Sequence, residues 1–180
     1  MSIINNNIYL AGKKYTLSGN KLKVGEQAKD FVYTNQNLNI HNFYSIGDIT
    51  KFISVFPSID TGVCAAQNTY FNNIAKDYKR IVKFIAISVD LPFALKRFTE
   101  TNCLSNILMI SDYNFLDFGK KYNMIISELR LLTRAVIIID EQNVIRYIQY
   151  INEITEHPDY DEAISELNRI LKLHKEPKFI

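Results

Sequence analysis

The chain has 180 residues, enough for one domain of ordinary size and too few for two. Apolar residues make up 47% and charged residues 22%, which is the balance of a soluble globular protein. The net charge is only +2, so the charge balance gives no field that would steer nucleic acid or an anionic membrane surface to the protein. We therefore expect one globular domain over 1–180, with no nucleic-acid or membrane partner.

Targeting segments and cofactor sites are also unexpected. The N-terminus lacks the basic and apolar regions of a secretory signal, and no apolar run approaches the roughly 20 residues that span a bilayer. Two cysteines do not form a disulfide scaffold and are expected to be reduced. Neither the dispersed histidines nor the isolated glycines predict a metal site or a phosphate-binding loop. We expect a cytoplasmic protein, and the residue pattern predicts no metal or nucleotide cofactor.

The first predicted element is a β-hairpin, formed by β-prone runs at 8–10 and 15–17 around an Ala-Gly-Lys-Lys turn. It lies in the segment 1–22, the one part outside the alternation of strands and helices that follows. Further strands are predicted at 31–33, weakly at 35–41, and at 51–56, 83–89, 107–110, 135–140 and 144–151. Helices are predicted at 60–78, 92–101 and 115–122, and from 158 onward.

This order of elements predicts an α/β sandwich with a mixed sheet, because strands alternate with helices before a closing antiparallel hairpin and a terminal helix. The helix at 60–78 has the clearest pattern, with one mostly apolar face at spacings of three and four. The residues of that face are Val63, Gln67, Tyr70, Phe71, Ile74 and Tyr78.

Cys64 lies in the first turn of that helix, directly after a buried strand. Unpaired backbone N–H groups at a helix N-terminus stabilise a thiolate, and the first turn after such a strand opens into the crevice where ligands bind. Thr61 precedes Cys64 by about one turn, so its hydroxyl can donate to the sulfur or to a bound oxygen, while Pro57 can form a dry wall. Asp60 is expected to point outward and cap the helix. Position alone leaves open whether Cys64 is reactive or a buried structural cysteine.

The residues around Cys64 resemble the active-site signature of the peroxiredoxins, Pro57-x-x-x-Thr61-x-x-Cys64. The longer string SVFPSIDTGVCAAQ is similar to the thiol peroxidase subfamily, the atypical two-cysteine peroxiredoxins. Further matches cover almost the whole chain: the opening hairpin with Lys23-Val24-Gly25, Asp90 to Ala94 with Lys96-Arg97-Phe98, Leu131 to Val136, Glu153-Ile-Thr155 and Pro158 to Tyr160. The resemblance implies a thioredoxin-like sandwich, with a mixed central sheet flanked by helices and an N-terminal β-hairpin.

The resemblance also implies a function, that of a thiol-dependent peroxidase in antioxidant defence. Such an enzyme reduces hydrogen peroxide and organic hydroperoxides to water and alcohols through a sulfenic acid, here at Cys64. The implied donors to peroxide are Thr61, the backbone N–H groups near Val63 and Cys64, and Arg134. An arginine suits this role because its guanidinium stays charged and offers several donors in one plane, so it can contact both sulfur and oxygen.

The second cysteine departs from the family pattern. In the family a resolving cysteine follows the Lys-Arg-Phe segment directly, where this chain has Thr99, and Cys103 comes four residues later, about one helical turn. Cys103 is therefore either a displaced resolving cysteine, which needs local unfolding to reach Cys64, or an unrelated buried cysteine in an enzyme reduced by an external thiol.

The resemblance further implies partners, namely thioredoxin or a similar dithiol reductant and a second copy of the chain. The candidate contact segments of such a homodimer flank Phe43, Phe93 and Phe115. A rival class, a non-enzymatic thiol redox sensor or chaperone, would share the oxidisable cysteine but would not turn over with a reductant.

Overall fold

The structure, a computed structural model, describes residues 7–173. Its β-strands are β1 (Asn7–Leu10), β2 (Lys13–Thr16), β3 (Val32–Asn35), β4 (Ile40–Asn42), β5 (Thr50–Val55), β6 (Val82–Ser88), β7 (Leu108–Ser111), β8 (Ile125–Ile126), β9 (Leu131–Leu132), β10 (Arg134–Ile139) and β11 (Ile145–Ile151). Its α-helices are α1 (Gly62–Ile74), α2 (Pro92–Thr101), α3 (Asp117–Lys121) and α4 (Tyr160–Leu173), with 3-10 turns at Phe43–Ile46 and Ala75–Tyr78. No helix in this part of the chain is long and apolar enough to cross a membrane.

Seven strands form the central mixed sheet, in the order β11-β10-β5-β6-β7-β3-β4. The neighbours β5, β6 and β7 are parallel, and the outer pairs on both sides are antiparallel. Strands β5 and β10 are buried along their whole length because elements pack on both faces, which is why they read as nearly continuous apolar runs. Together with the N-terminal hairpin, this sheet confirms the predicted α/β sandwich.

Alternate residues of the central strands pack into two separate hydrophobic cores, one on each face of the sheet. Phe52 and Phe84 point to the face that is covered by α1, α2 and α4. Ile53 and Ile85 point to the other face, which is covered by α3 and by the segment that contains Phe31. This alternation follows from the twofold repeat of side-chain direction along a strand.

The N-terminal hairpin packs beside the chain that follows β11. Ala11 and Gly12 have positive φ angles of 50° and 77°, as a two-residue hairpin turn requires. Backbone hydrogen bonds join Tyr9 to Asn152 and to Ile154, at 2.6 and 2.8 Å. The hairpin is thereby fixed to the segment that leads from the sheet to α4.

Helix α1 differs most from its prediction. It ends at Ile74 and continues as a 3-10 turn, and its buried face is rotated by about one residue, so that Val63 and Tyr70 are only partly buried. The face includes the polar residues Asn68 and Asn72. Their burial is tolerated because their side-chain amides have hydrogen-bond partners.

Two other predicted elements are shorter than expected. In the weak strand prediction at 35–41, a turn separates β3 from the short edge strand β4. Helix α3 begins only at Asp117, because Leu116 has the left-handed conformation with φ 50°.

Candidate active site

The loop between β5 and α1 places Cys64 at the third residue of the helix. Thr61 has extended backbone angles and is the N-cap, since its Oγ1 accepts from the backbone N of Cys64 at 3.4 Å. The Thr61 hydroxyl donates to the carbonyl of Ser58 at 3.2 Å. The prediction that Asp60 caps the helix is therefore wrong. Its side chain does point outward, where it pairs with Arg97 at 3.4 Å.

Arg134 reaches the sulfur from the neighbouring strand. Strand β10 is antiparallel to β5 and pairs Ala135 with Val55, so the first residue of β10 lies beside the end of β5. The Nη2 of Arg134 donates to the Sγ of Cys64 at 3.1 Å. Cys64 is 0% exposed and Arg134 is 1% exposed, so this contact lies inside the protein.

The other hydrogen-bond partners of Arg134 within residues 7–173 carry no charge. Its Nε donates to the carbonyl of Ile154 at 2.9 Å, and its Nη1 donates to the Oε1 of Gln67. The ion pairs found among the described residues do not include Arg134. A buried charge without a counter-ion is costly, so an ionised sulfur at Cys64 is a favourable neighbour for this guanidinium.

A buried polar network fixes Gln67, a residue that the sequence reasoning placed on the helix face without a role. Its Nε2 donates to the Oγ of Ser54 at 2.7 Å, and Ser54 in turn donates to the Oδ1 of Asn68 at 3.0 Å. The Nδ2 of Asn68 donates to the carbonyl of Cys64 at 2.9 Å, which closes the network on the helix that carries the sulfur. The available signal was an amide three residues after Cys64, on the helix face that the sequence predicted to be mostly apolar.

A pocket of about 190 Å³ opens beside the Cys64–Arg134 contact. Its walls are mostly apolar and come from the loop before α1, from the start of α1 and β10, and from the hairpin and the chain after β11. The lining residues are Leu10, Pro57, Ser58, Thr61, Gly62, Val63, Leu131, Arg134, Ile154 and Thr155. Three of the residues predicted around Cys64, namely Pro57, Thr61 and Arg134, thus meet at one pocket. A larger cavity of about 280 Å³ involves Asp48 and Arg80, at the opposite end of β5.

Cys103 lies outside the candidate site formed by Cys64, Arg134 and the 190 Å³ pocket. It follows the end of α2, has a left-handed φ of 53° and is exposed, while the next residue, Leu104, is buried. The idea that Cys103 is a buried cysteine is therefore wrong. Both cysteines are free thiols. Thr99, at the position where the family has its resolving cysteine, accepts from the Nε2 of Gln36 at 2.6 Å.

Comparison with known proteins gives a consistent set of relatives. The Redoxin family model matches residues 23–164. A thiol peroxidase of Oceanobacillus iheyensis is 42% identical over 163 residues, which cover 91% of this chain and 99% of that protein. A thiol peroxidase of Halalkalibacterium halodurans is 43% identical over 157 residues, which cover 87% of this chain and 94% of that protein.

Solved structures agree with these relatives. A peroxiredoxin-like protein from Aquifex aeolicus matches with a TM-score of 0.85 and 35% identity, over 92% of this chain and 97% of that one. A thiol peroxidase from Chromobacterium violaceum matches with a TM-score of 0.83 over 94% of this chain and 99% of that one. At 23% identity, the second match bears on the fold alone.

Proposed function

The chain belongs to the redoxin family and is a thiol-dependent peroxidase, and from this premise we propose that Cys64 is the residue that attacks peroxide. The thiolate forms a bond to the nearer peroxide oxygen while the O–O bond breaks. The leaving oxygen takes a proton and departs as water or alcohol, and Cys64 becomes a sulfenic acid. The observation that carries this assignment is the 3.1 Å contact between Arg134 and the Cys64 sulfur beside the pocket.

Thiolate supply alone cannot account for such a reaction. An ordinary thiol with a pKa of about 8.5 is already ~7% ionised near pH 7.4, so complete ionisation gains little more than about 10-fold. Enzymes commonly accelerate reactions by about 10⁶-fold or more. The larger share must come from donors aimed at the charge that develops on the breaking O–O bond. Arg134 meets this need, because it touches the sulfur and also lines the pocket.

Thr61 and Pro57 complete the proposed site. The Thr61 hydroxyl donates to the Ser58 carbonyl in the resting structure. Rotation about the Cβ–Oγ1 bond redirects its proton to a bound peroxide oxygen. Pro57 lines the pocket without an N–H group and keeps water from the sulfur. The apolar walls accommodate the alkyl group of an organic hydroperoxide, beside the smaller hydrogen peroxide.

We propose further that Cys103 is the resolving cysteine. Its thiol attacks the sulfur of the Cys64 sulfenic acid, so that a disulfide forms and water leaves. A dithiol reductant, thioredoxin or a similar small protein, then exchanges with this disulfide and returns both thiols. Cys64 is fully buried and Cys103 is exposed, so the start of α1 must open before the two sulfurs can meet. The chain has no third cysteine to compete for this role.

Two accessory proposals concern assembly and location. We propose a homodimer with contacts at Phe93 and Phe115, whose side chains are exposed just after β6 and β7. The ring of Phe43 is buried, whereas its neighbour Tyr44 in the same segment is exposed. A reducing compartment such as the cytoplasm fits a chemistry that needs two free thiols at rest. Sedimentation of the purified protein measures the oligomeric state directly.

The test is peroxide consumption together with the mass of the intact protein. With thioredoxin, its reductase and excess peroxide, we expect many equivalents consumed per protein, and none by Cys64→Ser. After one equivalent of peroxide without reductant, a loss of two hydrogens marks the Cys64–Cys103 disulfide. Consumption that stops after about one or two equivalents would favour the redox sensor, because a sensor does not turn over.

A further inference from the structure

Asp90 links the end of β6 to the loop that carries the proposed site. Its Oδ1 accepts from the hydroxyl of Ser58 at 2.8 Å, and its Oδ2 accepts from the backbone N of Ile59 at 2.8 Å. Ser88, at the end of β6, also donates to Oδ2, at 2.7 Å. The carboxylate therefore bridges the end of β6 and the middle of the loop between β5 and α1.

Asp90 is itself held firmly by its backbone. Its N–H donates to the Oγ of Ser88 at 3.2 Å, and its carbonyl accepts from the hydroxyl of Ser111 at the end of β7. The sheet thus fixes Asp90, and Asp90 fixes the loop. This direction of support matters, because the loop between β5 and α1 is an irregular segment, and Asp90 adds hydrogen bonds from the sheet to its middle.

The link continues to the reacting groups. The carbonyl of Ser58 accepts from the Thr61 hydroxyl at 3.2 Å, and the Oγ1 of Thr61 accepts from the backbone N of Cys64 at 3.4 Å. Ser58 and Thr61 both line the pocket, together with Arg134, which contacts the sulfur. A second tie from this loop to α2, the Asp60–Arg97 ion pair, is largely exposed and contributes little.

We propose that Asp90 is a positioning residue for peroxide reduction: through Ser58 and Ile59 its carboxylate sets where the Thr61 hydroxyl lies beside the Cys64 sulfur. This inference rests on the proposed function of Cys64 and deepens it. A misplacement of about 1 Å in such a group costs on the order of 10²-fold in rate, so a residue that does not touch peroxide can still govern its reaction.

The decisive comparison uses two aspartates that each accept a 2.8 Å hydrogen bond from a backbone N–H. Asp90→Ala removes the acceptor of the Ile59 N–H, and Asp117→Ala removes the acceptor of the Val32 N–H, which also lies at 2.8 Å but holds β3 instead of the loop. We expect Asp90→Ala to slow the reaction of reduced protein with hydrogen peroxide by between about 10-fold and 100-fold. Asp117→Ala should react at the wild-type rate. Asp90→Asn, which keeps an acceptor for Ile59 and can donate to Ser58, should recover most of the loss.

A second measurement separates positioning from general damage to the site. The ultraviolet absorbance of the thiolate, recorded across pH and referenced to Cys64→Ser, should be the same in wild type and Asp90→Ala, because the Arg134 contact does not pass through Asp90. If Asp90→Ala does not fold, Ser58→Ala removes one of its hydrogen bonds and should show a smaller loss in the same direction.

Three results would overturn the proposal. They are a wild-type rate in Asp90→Ala, an equal loss in Asp117→Ala, and a rate loss accompanied by a changed thiolate titration. Failure of the proposed function is distinguishable, since it appears as peroxide reduction that persists in Cys64→Ser.

Discussion

The surroundings of the two cysteines differ in almost every physical respect. Cys64 is fully buried at the start of a helix, and its sulfur accepts from a buried guanidinium at 3.1 Å. Cys103 is exposed just past the end of a helix, and the contact of its sulfur is a 3.9 Å approach to the carbonyl of Glu100. One thiol is thus held in a fixed environment, and the other is accessible.

The contrast separates reactivity toward peroxide from access to a second thiol. Reaction with peroxide needs donors that are fixed before the substrate arrives, and a buried network provides them. Disulfide formation needs two sulfurs about 2 Å apart, which a buried and an exposed cysteine reach only if part of the structure opens. We expect the protein to alternate between a closed form that reduces peroxide and a locally open form that resolves the sulfenic acid.

The largest expected effect follows from removing the positive charge beside Cys64, because that charge distinguishes the surroundings of Cys64 from those of Cys103. Arg134→Gln keeps an amide beside Gln67 but removes the cation from the sulfur. We expect the rate constant of reduced protein with hydrogen peroxide, measured by stopped flow, to fall by about 10²-fold to 10³-fold.

Arg130→Gln is the matched control for that change. Arg130 is exposed and lies four residues earlier in the chain, so its loss should leave the rate constant unchanged. Equal losses in the two arginine variants would show that net charge, and not the contact with sulfur, governs the reaction.

A smaller effect is expected from removing the accessible thiol. Cys103→Ser should react with the first equivalent of peroxide at the wild-type rate, since Cys103 lies outside the pocket. Steady-state turnover with thioredoxin should fall by about 10-fold or more, because an intramolecular thiol acts at an effective concentration on the order of millimolar. Ser105→Ala, a change at an exposed site in the same loop, serves as the control. Normal turnover by Cys103→Ser would remove Cys103 from the mechanism.

The smallest expected effect is on the free energy of unfolding, through the bonds that join the N-terminal hairpin to the chain after β11. The carboxylate of Glu153 accepts from the Thr155 hydroxyl and from the backbone N of Gly12, and these bonds lower its pKa from 4.5 to about 2. Because the folded-state pKa is depressed, the stabilisation is fully present above pH 4.5 and is lost as the pH falls toward 2.

Glu153→Gln should therefore be less stable than wild type near neutral pH, and the difference in free energy of unfolding should narrow between pH 4.5 and 2. Urea titrations at several pH values measure this difference, with the exposed Glu156→Gln as the control. A difference that stays constant over that range would mean that the Glu153 bonds to Thr155 and Gly12 add nothing to stability.

Local patterns predicted most of the fold. The alternation of buried apolar strands with amphipathic helices indicated the mixed sheet. Helix α2 has the predicted ends, 92 and 101, and its start was predictable because proline favours the first turn of a helix. Helix α1 was predicted at 60–78 and forms at 62–74, and its buried face is rotated from the predicted one because an apolar-face rule cannot recognise Asn68 and Asn72 as buried. The capping residue was assigned to Asp60 instead of Thr61 because both residue types cap helices and one position separates them.

Within the candidate site, the sequence predicted the residues that lie close together in the chain, but it did not predict the contacts between residues far apart in the chain. Pro57, Thr61 and Cys64 lie within one strand-to-helix connection, and a resemblance added Arg134. Gln67, the Ile154 carbonyl and Asp90 act through contacts between residues far apart in the chain, which spacing alone does not reveal.

The amino-acid sequence by itself determined the alternating strands and helices and the thiol at the start of α1, because these depend on periodicity and neighbouring residues. Only the tertiary structure decided which groups surround that thiol. An antiparallel β10 beside β5 brings a guanidinium 70 residues away onto the sulfur, and the carbonyl of Ile154 with the amide of Gln67 orients it. The physical reason is that a buried guanidinium is stable only where hydrogen-bond and charge partners surround it, and these partners come from segments that are distant in the chain and meet only in the packed fold.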